Sequence, residues 1–185
     1  MRSRGDSALR FAVLIAIASG CAPRPAGLSA GEHQLIQRCL GLEYPYAVAE
    51  WVGYGDGGSL TGVITDATGA KLNFWWDQRA SLPGTSNISP LGCIYLGAKV
   101  PADPAGVRLD IGSPCETAFI EALRAIANDQ LSRARQDSLY GFLYDSSIPM
   151  PERKPGYDAL KPAELQAMRA LALAKTLEEQ RVAHP

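Results

Sequence analysis

Five short runs of β-forming residues, each bounded by turn residues, divide the chain between residues 46 and 111. They cover residues 46–54, 59–65, 70–77, 93–96 and 107–111. Runs of this length, rich in Val, Ile, Thr and aromatic residues, are typical of strands. Because the first links are short and carry Gly and Asp, they favour hairpins. The sequence therefore predicts a meander of about five antiparallel strands.

Apolar and polar side chains alternate in the third run, as in a strand with one buried and one solvated face. The apolar positions are Leu72, Phe74 and Trp76, and the polar positions are Lys71, Asn73 and Asp77. Trp75 breaks the alternation, since it lies on the polar face. There it would pack against a helix, cover an edge or contact a ligand.

Two helix starts can be read from their capping residues. Ser29 precedes Glu32 by three positions, which is capping-box spacing, and Gly41 can end the short helix that follows. Ser113 and Pro114 open a second helix, because proline at the first helical position loses no hydrogen bond. We expect this helix to reach about Gln136.

The last part of the chain is predicted to be a proline-rich loop followed by a long helix. Three prolines between residues 148 and 155 predict an ordered loop or a hinge. A helix over 162–182 has a seam of small residues that allows close packing. Residues 29–185 are thus expected to form a single α+β domain, with the antiparallel sheet and two to three packed helices.

The first 20 residues have the layout of a secretory signal peptide. Arg2, Arg4 and Arg10 precede or flank an apolar run over 11–18, and small residues then precede Cys21. A run this short does not cross a bilayer, which needs about 20 apolar residues.

The residues Ala18, Ser19, Gly20 and Cys21 resemble the lipobox of bacterial lipoproteins, although that family usually has Leu where this chain has Ala18. The resemblance implies that Cys21 is acylated, with palmitate among its lipids, and becomes the mature N-terminus. Residues 21–28 would then be a lipidated tether. Ala22 stands where Asp would imply retention in the inner membrane, so we expect an outer-membrane, periplasm-facing anchor. Ordinary cleavage, giving a soluble secreted protein, is the alternative.

Charge and histidine content argue against several classes of partner. Without residues 1–20 the chain keeps 15 of 18 basic and 18 of 19 acidic residues, a net charge of −3. The basic residues are scattered, which disfavours nucleic-acid binding. The two histidines, His33 and His184, are far apart in sequence, and no cysteine pair has zinc-site spacing. Neither a metal nor a cofactor is expected.

Acylation of Cys21 would leave three cysteines and so one intrachain bridge at most. In a meander, Cys93 opens the fourth strand at the rim where the fifth strand ends, close to Cys115. The topology therefore favours a Cys93–Cys115 disulfide. Cys39 should lie at the opposite rim as a buried thiol, unless the first helix folds back along the sheet.

Candidate chemistry is sparse. Trp75, Trp76 and Trp51 could form a stacking platform for a sugar or a peptidoglycan fragment, although sheet aromatics more often pack in the core. Cys115, near a helix N-terminus, could be a nucleophile, but no general base can be named for it. No catalytic constellation can be assigned.

Two functions remain open. The first is a non-catalytic, membrane-anchored envelope lipoprotein that binds a partner protein or a glycan. The second is a periplasmic hydrolase whose site is assembled from carboxylates or Cys115.

Overall fold

The computed structural model describes residues 27–53, 59–77, 93–97, 106–144 and 147–183. Cys21, the signal-peptide region and His184 lie outside these residues, as does the link between the first two strands. Among the described residues, none of the helices has the length and apolar character needed to cross a membrane.

The predicted meander is confirmed. Within the residues described, five antiparallel strands pair in the order β1-β2-β3-β4-β5. Their bounds are β1 Ala47–Gly53, β2 Ser59–Thr65, β3 Lys71–Asp77, β4 Cys93–Leu96 and β5 Val107–Leu109. The turn between β2 and β3 is held by Asp66, whose carboxylate accepts from the backbone N–H groups of Thr68 and Ala70.

In the described part of the chain five helices accompany the sheet, more than the two to three that the sequence predicts. They are α1 Ala30–Leu40, α2 Pro114–Gln130, α3 Arg133–Tyr144, α4 Met150–Asp158 and α5 Pro162–Ala183. The α+β class is confirmed, and both predicted helix starts are confirmed at atomic detail. Ser29 and Glu32 form the capping box, and the Ser113 hydroxyl accepts from the Glu116 N–H. Gly41 ends α1 with φ of 65°, in the left-handed region.

The region between α2 and α5 differs from prediction. The helix expected to reach Gln136 ends at Gln130, because Leu131 adopts an extended conformation and is buried beside Ala167 and Met168 of α5. The burial of Leu131 against α5 thus coincides with the break that separates α2 from α3.

The loop predicted over 148–155 is wrong, since α4 occupies most of it. Pro151 lies in the first turn, where an N–H would have no partner within the helix. Pro155 removes only the hydrogen bond to the carbonyl of Pro151. The helix resumes beyond it, with the Ala159 N–H donating to the Pro155 carbonyl.

One face of the sheet, the inner face, packs against α2. Phe74 of β3 and Phe119 of α2, both fully buried, meet edge to face with ring centroids 5.1 Å apart. Gly62 of β2 lies opposite Phe74, and a Cβ at this position would overlap the Phe74 ring. A glycine is therefore required there by packing.

Helix α2 is packed between α1 and α5. The small residues Ala167, Ala170 and Ala174 of α5 are fully buried, so the predicted small-residue seam is confirmed. Near its C-terminal end, α5 returns to the start of α2, where the Arg181 Nε donates to Glu116 Oε2 at 2.7 Å. This contact fixes the two helices antiparallel.

Candidate functional site

The outer face of the sheet, which points away from α2, is the side on which the sequence places Trp75. Strand alternation and the observed register put these side chains on it: Thr61, Val63, Asn73, Trp75, Asp77, Cys93, Tyr95 and Arg108. The set mixes aromatic, ionisable and hydrogen-bonding groups, whereas the inner face is apolar.

Trp75, Tyr95 and Arg108 are neighbours across three strands and form what we call the aromatic–arginine row. Trp75 pairs with Tyr95 in the β3–β4 ladder, and Tyr95 pairs with Arg108 in the β4–β5 ladder. The rings of Trp75 and Tyr95 are stacked, with centroids 5.0 Å apart and planes at 23°. Cross-strand pairing thus builds an aromatic stack with a guanidinium beside it.

Two hydrogen-bond donors of this row lack an acceptor in the described part of the chain. Trp75 is 7% exposed, and its Nε1 is fully buried without a hydrogen-bond partner. The Nε of Arg108 is buried in the same unsatisfied state. Since buried polar groups are nearly always hydrogen-bonded, two such donors in one row require an explanation.

Cys93 lies next to the row, directly opposite Asp77 in the β3–β4 ladder. It is a buried thiol, 2% exposed. Burial raises the pKa of this thiol, and the nearby charge of Arg108 lowers it by less. The group is therefore protonated at neutral pH and is a poor nucleophile.

The predicted Cys93–Cys115 disulfide is wrong. Cys115 is bonded to Cys39, with Cα atoms 5.1 Å apart. The strand order on which the prediction rested is right, but the position assumed for Cys39 is not. Helix α1 runs antiparallel to α2, with Gly27 beside Asn128 near the end of α2, so Cys39 reaches the start of α2.

The bridge also removes Cys115 as a candidate nucleophile in the oxidised protein, because a disulfide sulfur carries no thiolate. A helix N-terminus lowers the pKa of a cysteine only when a thiol is present to ionise. The residue that the sequence singles out for reactivity here cross-links two helices.

The three tryptophans of the predicted platform do not share a surface. Trp75 lies on the outer face, as predicted from the alternation. Trp76 and Trp51 contribute to the inner core, where Trp51 packs edge to face on Phe74. A β-bulge between Val48 and Glu50 shifts the register of β1 and so puts Trp51 on the inner side.

Among the acids between residues 46 and 111, Asp66 is held by several hydrogen bonds. Asp66 accepts hydrogen bonds from the Glu43 N–H, from the Thr68 and Ala70 N–H groups and from the Thr68 hydroxyl, which together lower the pKa of its carboxyl. It is committed to the turn. Asp56 and Asp103 lie outside the described residues, and within them no cluster of three metal-ligating side chains is found.

His33 lies against two tyrosines, Tyr44 and Tyr46. Its Nδ1 lies 3.3 Å from the Tyr46 hydroxyl, and its ring contacts those of Tyr44 and Tyr46 edge to face. Tyr46 is itself buried, and burial raises its pKa to about 12, so this phenol stays protonated across the physiological range.

A shallow cleft of about 510 Å³ opens beside these rings, at the rim of the sheet. Its lining includes Asp66, which is engaged in the β2–β3 turn, and Asp129, whose carboxylate accepts a hydrogen bond from the Tyr44 hydroxyl. A second cleft, of about 380 Å³, is lined by both acids and bases, including Glu121, Arg124 and Lys175. Arg124 is paired with Glu178, so part of that charge is already balanced.

Sequence reasoning found Trp75 and missed Arg108. The alternation of Val107, Arg108 and Leu109 shows that the arginine faces away from its neighbours. Only the register of the sheet shows that it lies in the same row as Trp75.

Comparison with protein-family models, with curated proteins and with solved structures found no match to this chain. The function of the chain is therefore inferred from its own residues.

Proposed function

We propose that this protein is an envelope lipoprotein, anchored by acyl chains on Cys21 to the outer membrane and facing the periplasm. Its folded part binds an envelope component and does not catalyse a reaction. The first 21 residues support the anchor, because a basic stretch, a short apolar run and small residues lead directly to a cysteine.

The observation that carries the proposal is the Cys39–Cys115 disulfide. Structural disulfides persist in oxidising compartments such as the periplasm and are rare in the reducing cytosol. An export signal and a disulfide are independent features, one in the leader and one in the fold. Both favour the same compartment.

The distance between anchor and domain supports attachment close to the membrane. Gly27, the first described residue, lies six positions after Cys21. Six residues span at most about 21 Å when fully extended. Two or more acyl chains make such an anchor stable, since each buried methylene contributes about 0.8 kcal/mol.

A binding role is favoured over hydrolysis by the state of the reactive groups. Cys115 is in a disulfide, burial raises the pKa of Cys93, and Asp66 is engaged by its turn. The outer face offers donors and an aromatic stack instead, which are the groups of a recognition surface.

Replacing Cys21 with Ala tests the anchor. We expect the parent to fractionate with membranes and to carry the added mass of acyl chains, and Cys21→Ala to appear in the soluble periplasmic fraction. Ala18→Leu is the matched control, since it strengthens the resemblance to the lipobox and should stay in the membrane. A parent without lipid mass that fractionates like Cys21→Ala would refute the anchor and favour the soluble secreted form.

The choice of membrane can be tested separately. Ala22→Asp should move the lipidated protein from the outer-membrane to the inner-membrane band of a density gradient. If the parent is already in the inner-membrane band, the outer-membrane part of the proposal fails.

A further inference from the structure

The aromatic–arginine row combines two unsatisfied donors with a stacked aromatic pair. A buried N–H without an acceptor is destabilising relative to a satisfied one, because its desolvation is not compensated. The row carries this cost at Trp75 Nε1 and again at Arg108 Nε. A ligand acceptor that formed hydrogen bonds with these N–H groups would remove this free-energy cost.

The charge of the row is positive. The ion pairs of the described residues do not include Arg108. The other charged groups of this face are Asp77, one ladder position away beside Cys93, together with Lys71 and Glu50 towards the opposite rim. A guanidinium presents a planar fork of donors that matches a carboxylate.

The accessible end of the row is at Arg108. Tyr95 and Arg108 are only partly buried, whereas Trp75 is almost fully buried. A ligand would therefore meet the guanidinium and the phenol ring first, with the indole N–H deeper. One arginine suits a single carboxylate, and a polyanion would require a basic patch that this face lacks in the described residues.

We propose that the aromatic–arginine row binds a carboxylate-bearing glycan, with Arg108 holding the carboxylate, the Tyr95 ring, backed by the stacked Trp75, against the sugar, and Trp75 Nε1 as a second, deeper donor. The source of the glycan, the cell envelope, rests on the proposed function. The row itself does not depend on the lipid anchor.

Calorimetric titration with two related sugars tests the proposal. N-acetylmuramic acid carries a carboxylate that N-acetylglucosamine lacks, and the two otherwise share a ring. We expect the full-length gene product, purified from whichever fraction holds it, to bind the acidic sugar at least about tenfold more tightly, since hydrogen bonds to a charged group are stronger than those between neutral groups.

Three variants locate the site. Arg108→Gln should abolish the preference for the acidic sugar. Trp75→Phe keeps the stack and removes the N–H, and should weaken binding of the acidic sugar several-fold. Lys71→Gln, a change of an exposed cation on the same face, is the control and should bind like the parent. If Arg108→Gln does not fold, Arg108→Lys keeps the charge without the fork and should lower affinity while preserving the preference.

The proposal is overturned if the parent does not distinguish the two sugars, or if the arginine variant that folds binds the acidic sugar as the parent does. Lipid mass, measured on the same preparation, separates the two ideas. Preference for the acidic sugar in a protein without lipid would support binding at the row and refute only the anchor. Lipid without that preference would refute only the row.

Discussion

The two faces of the sheet carry adjacent tryptophans that are almost equally buried, in different surroundings. Trp76, 8% exposed, lies on the inner face between Leu60 and Ile94 in the strand ladders and belongs to the main apolar core. Trp75, 7% exposed, lies on the outer face beside tyrosine, arginine and a thiol. Burial alone therefore does not distinguish the two environments. The chemistry of the neighbours does.

The inner face should show the largest loss of stability on mutation. Phe74 contacts both Trp51 and Phe119 and is fully buried. Phe74→Ala is expected to reduce the free energy of unfolding by about 3–5 kcal/mol, since it leaves a cavity in packed surroundings. Urea unfolding followed by circular dichroism measures the loss. A change below about 1 kcal/mol would contradict the assignment of Phe74 to the centre of the core.

A second substitution, at Gly62, tests the contact between Gly62 and Phe74 directly. Gly62→Ala should destabilise the parent, because the new methyl group would overlap the Phe74 ring. In the Phe74→Ala background the same change should cost less, giving a coupling energy of about 1 kcal/mol or more in a double-mutant cycle. Additive effects would mean that the two residues are not in contact.

Removal of the disulfide should have the next largest effect, on the helical layer behind the inner face. Cys39 and Cys115 are 76 positions apart. The double replacement Cys39→Ala, Cys115→Ala is expected to cost about 4 kcal/mol on the chain-entropy model. Cys93→Ala serves as the control, because it removes a cysteine outside the bridge. Non-reducing peptide mapping should recover linked peptides containing Cys39 and Cys115, and a linked peptide containing Cys93 would refute the pairing.

The same substitution at the two tryptophans compares the faces directly. Neither indole N–H has a partner among the described residues, so replacement with Phe removes no known hydrogen bond. Trp76→Phe should cost about 1–2 kcal/mol through lost packing. Trp75→Phe should cost less and should instead weaken glycan binding. Equal losses of stability in the two variants, with glycan binding unchanged in Trp75→Phe, would show that the two tryptophans have the same role.

The smallest effect is expected at the turn between β2 and β3. Hydrogen bonds from the Glu43 N–H and from Thr68 and Ala70 lower the pKa of Asp66, so its stabilising contribution is present above the unfolded-state pKa and is lost as pH falls through the lower folded-state pKa. Asp66→Asn should lower stability at neutral pH by less than about 1 kcal/mol, because the site is solvent-screened. Thermal melts from pH 7 to pH 2 should converge for parent and variant. A constant difference would contradict this origin.

Local sequence signals predicted much of the fold. Strand bounds agree within one or two residues, and the caps at Ser29 and Ser113 are as expected, because turns and caps depend on neighbouring residues. Pro151 and Pro155 indicate a loop where α4 forms, because the cost of a proline depends on its position within the helix.

The sequence by itself determined the five-strand meander and the two faces of β3, since these follow from composition and from the period of the side chains. Tertiary structure decided which cysteine bonds to Cys115, where Trp51 points and which residue stands beside Tyr95. The disulfide depends on α1 lying antiparallel to α2, and the aromatic–arginine row on the register of three strands. Such contacts join residues far apart in the chain, and their geometry is set by how whole elements pack.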